Sequence, residues 1–416
     1  MFALVDGNNF YASCEQVFQP ELRGKPLVVL SNNDGCAIAR SAQAKALGIK
    51  MGQPAHELKD LVRNHGLLMR SANFTLYGDM SARVVTILRD QVRRVEVYSI
   101  DESFIDLSGI RDRLAFCQQL RERIRTWTGI PNCIGIGPTK TLAKLANKVA
   151  KKAAGVVDLS DPQARADALQ HFPADDLWGV GRKWSARLAT IGIRTAAQLR
   201  DAPPDQILER CGVVLLRTQR ELQGIACVAL EEVEPDRQQI MVSRSFGQRV
   251  EDHEALAQAV ATFAINATEK LRKRGLVAAG VWVFANTDPF RPELPQHHPS
   301  RAVTLPSSTS DTRVVLTIAR RLVQAILRPG YAYKQAGVGL LDLARPSDVQ
   351  GDMFTPAVIG NDALMATLDK INRRYGRSAA GLGASGWQVK PAWGMRQERL
   401  SPHFTTRYAD LPVAYC

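Results

Sequence analysis

Short apolar runs alternate with longer amphipathic stretches along this chain, which predicts a mixed α and β structure. Apolar runs typical of buried strands occur at residues 2–5, 27–30 and 132–137. Apolar residues recur at helical spacing over residues 41–48, 77–92, 114–129 and 139–152. Thr139 precedes the last of these stretches and is the expected helix N-cap.

Three carboxylates stand where predicted strands end. Asp6 follows the first apolar run, and Asp101 and Glu102 lie in the short link between the apolar runs 95–99 and 103–107, which predict a hairpin. If these strands are neighbours, the carboxylates converge, and two unpaired charges ~4 Å apart repel by about 4 kcal/mol at an effective dielectric near 20. The pattern therefore favours bound cations, and hard oxygen ligands suit Mg²⁺. Alternatively, Asp6 begins a turn and the hairpin acids are simply solvated.

The second half of the chain divides into three parts. Residues 177–199 predict a helical unit punctuated by glycines, and the polar, proline-containing stretch 231–239 is typical of an interdomain linker. Residues 241–345 mix strands with two helices, an α+β module that carries fourteen Lys and Arg against eight Asp and Glu. Residues 346–416 are only weakly patterned.

Composition narrows the class of protein. Of 416 residues, 45% are hydrophobic and 23% charged, which is ordinary for a globular protein and excludes a disordered one. The formal net charge of +13 favours a polyanionic partner such as nucleic acid, although a merely basic enzyme would also fit. Seven scattered cysteines without metal-ligand spacing predict neither a disulfide framework nor a zinc site. No signal peptide or membrane span is expected, so the predicted location is cytoplasmic. A nucleic-acid partner would make the protein nucleoid-associated during activity.

Several blocks carry a family resemblance. The blocks FALVDGNNFYASCE, YSIDESFIDL and GIGPTKTLAKLANKVAK resemble the Y-family, or translesion, DNA polymerases, and they occur in the family's order. The stretch SNNDGCAIARSAQAKALGIKMG is similar to the UmuC-type branch, the catalytic subunits of polymerase V. The resemblance covers most of the chain, including LSPHFTTRYADL near residue 400.

The resemblance implies an α+β multidomain fold shaped as a right hand. The implied domains are a palm at 1–12 and 75–170, fingers at 13–74, a helical thumb with a helix-hairpin-helix at 171–235, a little finger at 241–345 and a C-terminal partner-binding tail at 346–416.

The resemblance also implies a catalytic centre. Its catalytic residues would be Asp6, Asp101 and Glu102, which would bind two Mg²⁺ ions together with the main-chain carbonyl of Gly7. Tyr11, after Phe10, matches the steric gate whose ring packs under the sugar and excludes a 2′-hydroxyl. Without the resemblance, these two rings would be interpreted as core aromatics.

Two lysines are implied to bind the nucleotide. Lys151 matches the family lysine that holds the triphosphate. Lys45 stands where many members have arginine, and Ala42 replaces their tyrosine. Lys45 is therefore expected to contact phosphate as a point charge rather than a bidentate fork, unless it merely solubilises its helix.

Two segments are candidates for contacts with DNA phosphates. Gly179 and Gly181, followed by Arg182 and Lys183, favour a helix-hairpin-helix whose amides approach the backbone, although a plain glycine turn is the alternative. The little-finger patch consists of Arg272, Lys273 and Arg274, which would otherwise form a solvated helix face.

A short motif follows the little finger. In QGDMF, Gln350, Met353 and Phe354 fit the peptide with which family members dock in a sliding clamp. Gly351 replaces the usual aliphatic residue and adds flexibility, which predicts weak binding. An ordinary linker is the alternative.

The function that the resemblance implies is that of a template-directed, error-prone DNA polymerase, which would add dNTPs to a primer 3′-OH across damaged template in SOS mutagenesis and damage tolerance. The alternatives are a nucleotidyl cyclase with a similar palm and a catalytically dead module that binds DNA damage. Primer-template DNA and dNTPs are the expected substrates. The resemblance implies a UmuD′-type dimer, the RecA filament and the sliding clamp as protein partners.

Overall fold

A computed structural model describes residues 1–153, 155–232, 237–350, 360–376, 379–386, 391 and 393–411. The chain divides into two compact units. The first contains Met1–Ser31, Gly35–Glu234 and Arg399–Cys416, and the second contains Asn32–Asp34 and Pro235–Glu398. No helix in the described ranges is long and apolar enough to cross a membrane.

The first unit is built on a five-stranded sheet in the order β5-β6-β1-β7-β8. Its strands are β1 (Phe2–Gly7), β5 (Val95–Val97), β6 (Glu102–Asp106), β7 (Asn132–Gly137) and β8 (Val156–Asp158). β1 pairs antiparallel with β6 on one side and with β7 on the other. The first apolar run thus becomes the middle strand of the sheet, which is why it continues past the predicted residues 2–5 to Gly7.

A smaller sheet in the order β3-β2-β4 belongs to the same unit. Its strands are β2 (Leu27–Leu30), β3 (Ala37–Arg40) and β4 (Leu68–Ser71). The helices of this part of the chain are α1 (Phe10–Phe18), α2 (Ala42–Ala46), α3 (Lys59–His65) and α4 (Phe74–Gln91).

Helix α6 (Lys140–Ala150) lies directly on β7. A Cβ atom at Gly135 would lie 2.0 Å from the backbone nitrogen of Asn147, and one at Gly137 would lie 2.7 Å from that of Ala143. The two glycines therefore serve close helix-to-sheet packing. The predicted cap is confirmed, because the Thr139 side chain accepts a hydrogen bond from the Leu142 backbone amide.

The remaining helices of the first unit are mostly short. They are α5 (Arg113–Thr128), α7 (Pro162–His171), α8 (Arg182–Thr190), α9 (Ala196–Asp201), α10 (Pro204–Cys211) and α11 (Val213–Leu222). The buried apolar faces of α7 to α11 pack into one core together with Leu142, Leu145 and Ala146 of α6. The buried residues of α5 belong instead to the core that includes the strands β1 and β7. The predicted helical unit at 177–199 is thus present as α8 and α9.

The second unit contains a four-stranded antiparallel sheet in the order β11-β10-β12-β9. Its elements are β9 (Ile240–Val250), α12 (His253–Lys273), β10 (Val277–Thr287), β11 (Ser300–Thr309), α13 (Thr312–Ile326), β12 (Tyr333–Ala344) and α14 (Asp362–Tyr375). The apolar faces of α12 and α13 and residues of the sheet form one core. This is the α+β module that the sequence predicts for 241–345, extended by a helix from the weakly patterned region.

Candidate active site

The carboxylates predicted from the strand ends come together at one end of the five-stranded sheet. Asp6 lies opposite Glu102 in the register of β1 and β6, and the backbone amide of Gly7 donates a hydrogen bond of 2.9 Å to the Asp101 carbonyl. Ser99 orders the turn: its hydroxyl donates to Asp101 Oδ1 (2.7 Å) and accepts from the backbone amide of Glu102 (3.0 Å). Glu102 is the first residue of β6 and not part of the hairpin tip, which corrects the predicted boundary.

Two lysines neutralise two of these carboxylates: Lys144 lies in α6, and Lys151 is the C-cap of that helix. Lys151 Nζ lies 2.7 Å from Asp6 Oδ2, and Lys144 Nζ lies 2.7 Å from Glu102 Oε2. Asp6 is buried, and burial raises the pKa of this carboxyl to about 7 against the attraction of Lys151, with Glu102 and Asp101 raising it further. The site therefore concentrates negative charge that needs cationic partners.

The donor set fits a hard cation. Within the described part of the chain, no three His, Cys, Asp or Glu side chains are close enough to form a ready metal site. The three side chains at this sheet end are nevertheless all carboxylates, which are the oxygen ligands that Mg²⁺ prefers. The buried Asp6 and its acidic neighbours would gain from a divalent charge more than from a single ammonium group.

A cluster of aromatic rings lies beside the carboxylates. Asn9 adopts a left-handed conformation (φ 52°) that turns the chain from β1 directly into α1. Tyr11 on α1 stacks on Tyr77 of α4 with ring centres 4.5 Å apart and planes 15° from parallel. Phe74 meets Tyr11 edge-on at 6.0 Å. A side chain at Gly7 would come within 2.8 Å of the Phe10 ring, so this position requires glycine.

A cavity of about 330 Å³ unites the predicted nucleotide-binding residues. Its lining includes Asp6, Gly7, Phe10, Tyr11, Arg40, Lys45, Asp101 and Lys151. Burial lowers the pKa of Lys45, and repulsion from Arg40 and Lys151 lowers it further. Three cations thus face two carboxylates across one cavity, an arrangement that suits an anionic ligand together with a metal ion.

Sequence reasoning missed two basic residues of this region. Arg40 ends β3, donates 2.7 Å from Nη1 to the Ile49 carbonyl and leaves a buried Nε without a hydrogen bond in the described part of the chain. Nothing in its sequence surroundings points to the cavity. Lys144 could have been predicted from the sequence. It lies seven residues before Lys151, and that spacing places both lysines on one face of a helix.

The first predicted DNA-binding segment is an exposed turn in the first unit. Gly179 has φ 87°, which favours glycine, and Gly181 is the N-cap of α8, followed by exposed Arg182 and Lys183. The element before the turn is a short 3₁₀ segment, Ala174–Asp176, and not the α-helix that a helix-hairpin-helix requires. DNA binding here remains a prediction.

The little-finger patch does not act as one group. Arg272 makes a two-pronged ion pair with Asp369 of α14 (2.8 and 2.7 Å) and also donates to the Ser310 carbonyl and the Thr312 hydroxyl. Its guanidinium nitrogens already donate to groups of α13 and α14 and of the loop before α13. These hydrogen bonds argue against the predicted contact of Arg272 with a DNA phosphate. Lys273 and Arg274 are exposed, and their DNA-binding role stays a prediction.

The predicted clamp motif is only partly described. Gln350 is exposed, whereas Met353 and Phe354 lie outside the described residues. Clamp binding stays a prediction.

Comparisons with known proteins agree with this geometry. Residues 5–148 match the impB/mucB/samB family, residues 237–353 match the C-terminal domain of that family, and residues 362–414 match a domain of unknown function. Protein UmuC of Salmonella typhimurium is 44% identical over 99% of both chains. DNA polymerase IV of Moorella thermoacetica is 30% identical over 90% of this chain and 93% of its own.

A solved structure, a Y-family DNA polymerase chimera, covers 83% of this chain and 100% of its own with a TM-score of 0.68 at 20% identity, which supports the fold. The family model and the full-length relatives together decide the assignment. This chain belongs to the impB/mucB/samB family and is a UmuC-type member of the Y-family DNA polymerases.

Proposed function

We propose that this chain is a template-directed, error-prone DNA polymerase that extends a primer 3′-OH with dNTPs across damaged template. One observation carries the proposal: Asp6, Asp101 and Glu102 share one sheet end beside a cavity that also holds Tyr11 and three cationic side chains. Family membership supports the same reaction. A cyclase or a catalytically dead binding module is not favoured, because the matches run to polymerases over nearly the whole chain.

Different residues of the cavity would contact the phosphates and the sugar of a nucleotide. Lys151, Lys45 and Arg40 would hold the triphosphate oxygens, and Lys151 would exchange its contact with Asp6 for a phosphate. Tyr11 would lie under the sugar, with its ring fixed by Tyr77 behind it. Together, these contacts would place the α-phosphate beside the carboxylates and orient it toward the primer terminus.

We infer that the carboxylates bind divalent metal, and we propose two Mg²⁺ ions held by Asp6, Asp101, Glu102 and the Gly7 carbonyl. Bound there, the two ions would supply charge to activate the attacking hydroxyl and to stabilise the leaving pyrophosphate. The role of the protein is to hold the three carboxylates close together. Ser99 orders the turn, and Lys144 of α6 supplies positive charge while no nucleotide is bound.

The domains follow the same proposal. We assign palm to 1–12 and 75–170, fingers to 13–74, thumb to 171–235 and little finger to 241–345. A UmuD′-type dimer, the RecA filament and a sliding clamp are proposed partners, the clamp through residues 350–354.

The test is primer extension by the purified chain with Mg²⁺ and dNTPs on undamaged and abasic templates. We expect extension that stops when Asp101 is replaced by alanine. A wild-type chain that binds primer-template DNA but never extends it, with or without its proposed partners, would refute the polymerase function. Production of cyclic nucleotides would favour the cyclase instead.

A further inference from the structure

A segment near residue 400 packs into the first unit, far along the chain from the residues it meets. Ser71, at the end of β4, donates its backbone amide to the Arg399 carbonyl (3.0 Å), and its hydroxyl accepts from the Arg399 amide (2.9 Å). Leu400 continues alongside Ser71 in a parallel bridge. We call residues 399–404 the return segment.

The return segment reaches a buried carboxylate beneath the aromatic cluster. Glu15 of α1 is fully buried, and its Oε1 accepts hydrogen bonds from the Tyr77 hydroxyl (2.7 Å) and the Ser401 hydroxyl (3.1 Å). Its second oxygen has no hydrogen-bond partner in the described part of the chain. Tyr77 is also fully buried, and its hydroxyl donates to Glu15, so the position of its ring depends on that carboxylate.

Asn73 provides a second connection. Its Oδ1 accepts from the Leu76 amide as the N-cap of α4, the helix that carries Phe74 and Tyr77. Its Nδ2 is 3.0 Å from Ser401 Oγ and 3.2 Å from each of the Ser401 and Pro402 carbonyls. The start of α4 is thus tied to the return segment through one buried side chain.

A third contact holds the end of α1. Phe404 is buried and stacks on Phe18 with ring centres 5.1 Å apart and planes 8° from parallel. The return segment therefore touches both helices that carry the aromatic cluster. Tyr11 comes from α1, and its stacking partner Tyr77 comes from α4.

We propose that the return segment is a brace that positions Tyr11 and thereby sets how strictly the site excludes ribonucleotides. This rests on the proposed function, because it concerns the sugar of the incoming nucleotide. A steric gate discriminates only if its ring cannot retreat, and Tyr77 is the surface behind that ring. Ser401 and Asn73 are positioning residues: they act through Glu15 and α4 and do not touch the nucleotide cavity.

The experiment compares three variants of the full chain. Ser401→Ala removes the hydroxyl that joins Glu15 to Asn73. Asn73→Asp keeps an oxygen for the helix cap but loses the donors to the return segment. Tyr408→Ala is the matched control, because this ring is 90% exposed in the same part of the chain.

The primary measurement is single-nucleotide insertion, expressed as kcat/KM for a dNTP divided by kcat/KM for the matching rNTP. We expect Ser401→Ala to lower this ratio about two- to tenfold, the equivalent of one buried hydrogen bond, and Asn73→Asp to lower it further. Tyr408→Ala should leave it unchanged. A merely destabilised enzyme loses active molecules for both substrates equally, so its ratio would not move.

A second measurement does not depend on catalysis. Hydrogen exchange at residues 74–80 should be faster in Ser401→Ala and Asn73→Asp than in the control. If both variants keep the wild-type dNTP-to-rNTP ratio and the wild-type rate of hydrogen exchange, the proposal of a brace is refuted while the polymerase function stands. If the wild-type chain does not extend primers at all, the proposed function itself fails, and unchanged exchange in the variants would overturn the brace independently.

Discussion

The proposed steric gate at Tyr11 allows a prediction whose size follows from the packing of its ring. We consider two substitutions: Tyr11→Ala, which removes the ring, and Tyr11→Phe, which removes only the hydroxyl. Tyr77 stacks behind the Tyr11 ring at 4.5 Å, and Phe74 meets it edge-on at 6.0 Å. Because Tyr77 is fully buried, the Tyr11 ring has little room to move back when a larger sugar enters.

The magnitude comes from the cost of forcing an extra atom into a packed site. Such overpacking typically costs about 1–3 kcal/mol. If all of that penalty falls on the ribonucleotide, selectivity for dNTP over rNTP should fall by about 5- to 150-fold in Tyr11→Ala. Loss of the aromatic contacts, worth about 1 kcal/mol, affects both nucleotides and cancels in the ratio.

Tyr11→Phe serves as the matched control. The Tyr11 hydroxyl makes no hydrogen bond to the described residues, so its removal should leave selectivity near the wild-type value. The assay is single-nucleotide insertion with dNTP and rNTP, each fitted for kcat and KM. An unchanged ratio in Tyr11→Ala, or a collapse of the ratio in Tyr11→Phe, would show that ring bulk at this position is not the gate.

The further predictions concern other parts of the chain. Glu102→Ala should abolish primer extension while DNA affinity in a filter-binding assay stays close to wild type, because phosphate contacts elsewhere supply most of the affinity. Arg272→Ala should destabilise the second unit by about 2–3 kcal/mol in denaturant unfolding, since it leaves a partly buried carboxylate of α14 unpaired; Lys273→Ala should instead weaken DNA binding and reduce its salt dependence. Burial would raise the pKa of Asp311, but hydrogen bonds from the neighbouring arginine and from backbone amides outweigh it and hold the pKa at about 2. Its contribution to stability is therefore complete above the ordinary value of 3.8 and is lost as the pH falls toward 2, so an Asp311→Asn variant should show a flatter acid-unfolding curve over that window. A peptide containing the predicted clamp motif should bind the clamp weakly, and titration of its Phe354→Ala version should show clearly weaker binding; equal affinity would contradict the motif.

Local sequence determined the elements that need only their own residues. The strands at Leu27–Leu30 and Asn132–Gly137 and the helix cap at Thr139 coincide with the predictions. Apolar continuity and a hydroxyl before a helix act within a few residues, so no distant partner is needed to recognise them. The three carboxylates were also visible in the sequence, because strand ends and hairpin links are local features.

Which groups meet depends on how distant elements pack together. Placement of β1 between β6 and β7 brings Asp6 opposite Glu102, and pairing across more than ninety residues has no local signature. Arg272 looked like an exposed DNA contact because its neighbours are basic, yet α14 places Asp369 within 2.7 Å of it.

The return segment is the clearest example of a contact that local sequence does not predict. Ser401 and Glu15 are separated by 386 positions, and nothing in the composition of either region predicts their hydrogen bond. The short elements and the residue types available for chemistry can be predicted from the sequence, because they depend on neighbours along the chain. The tertiary structure decided the partners of Glu15, Arg272 and Lys151, because a buried charge or polar group takes whichever partner the packing of distant elements brings within reach.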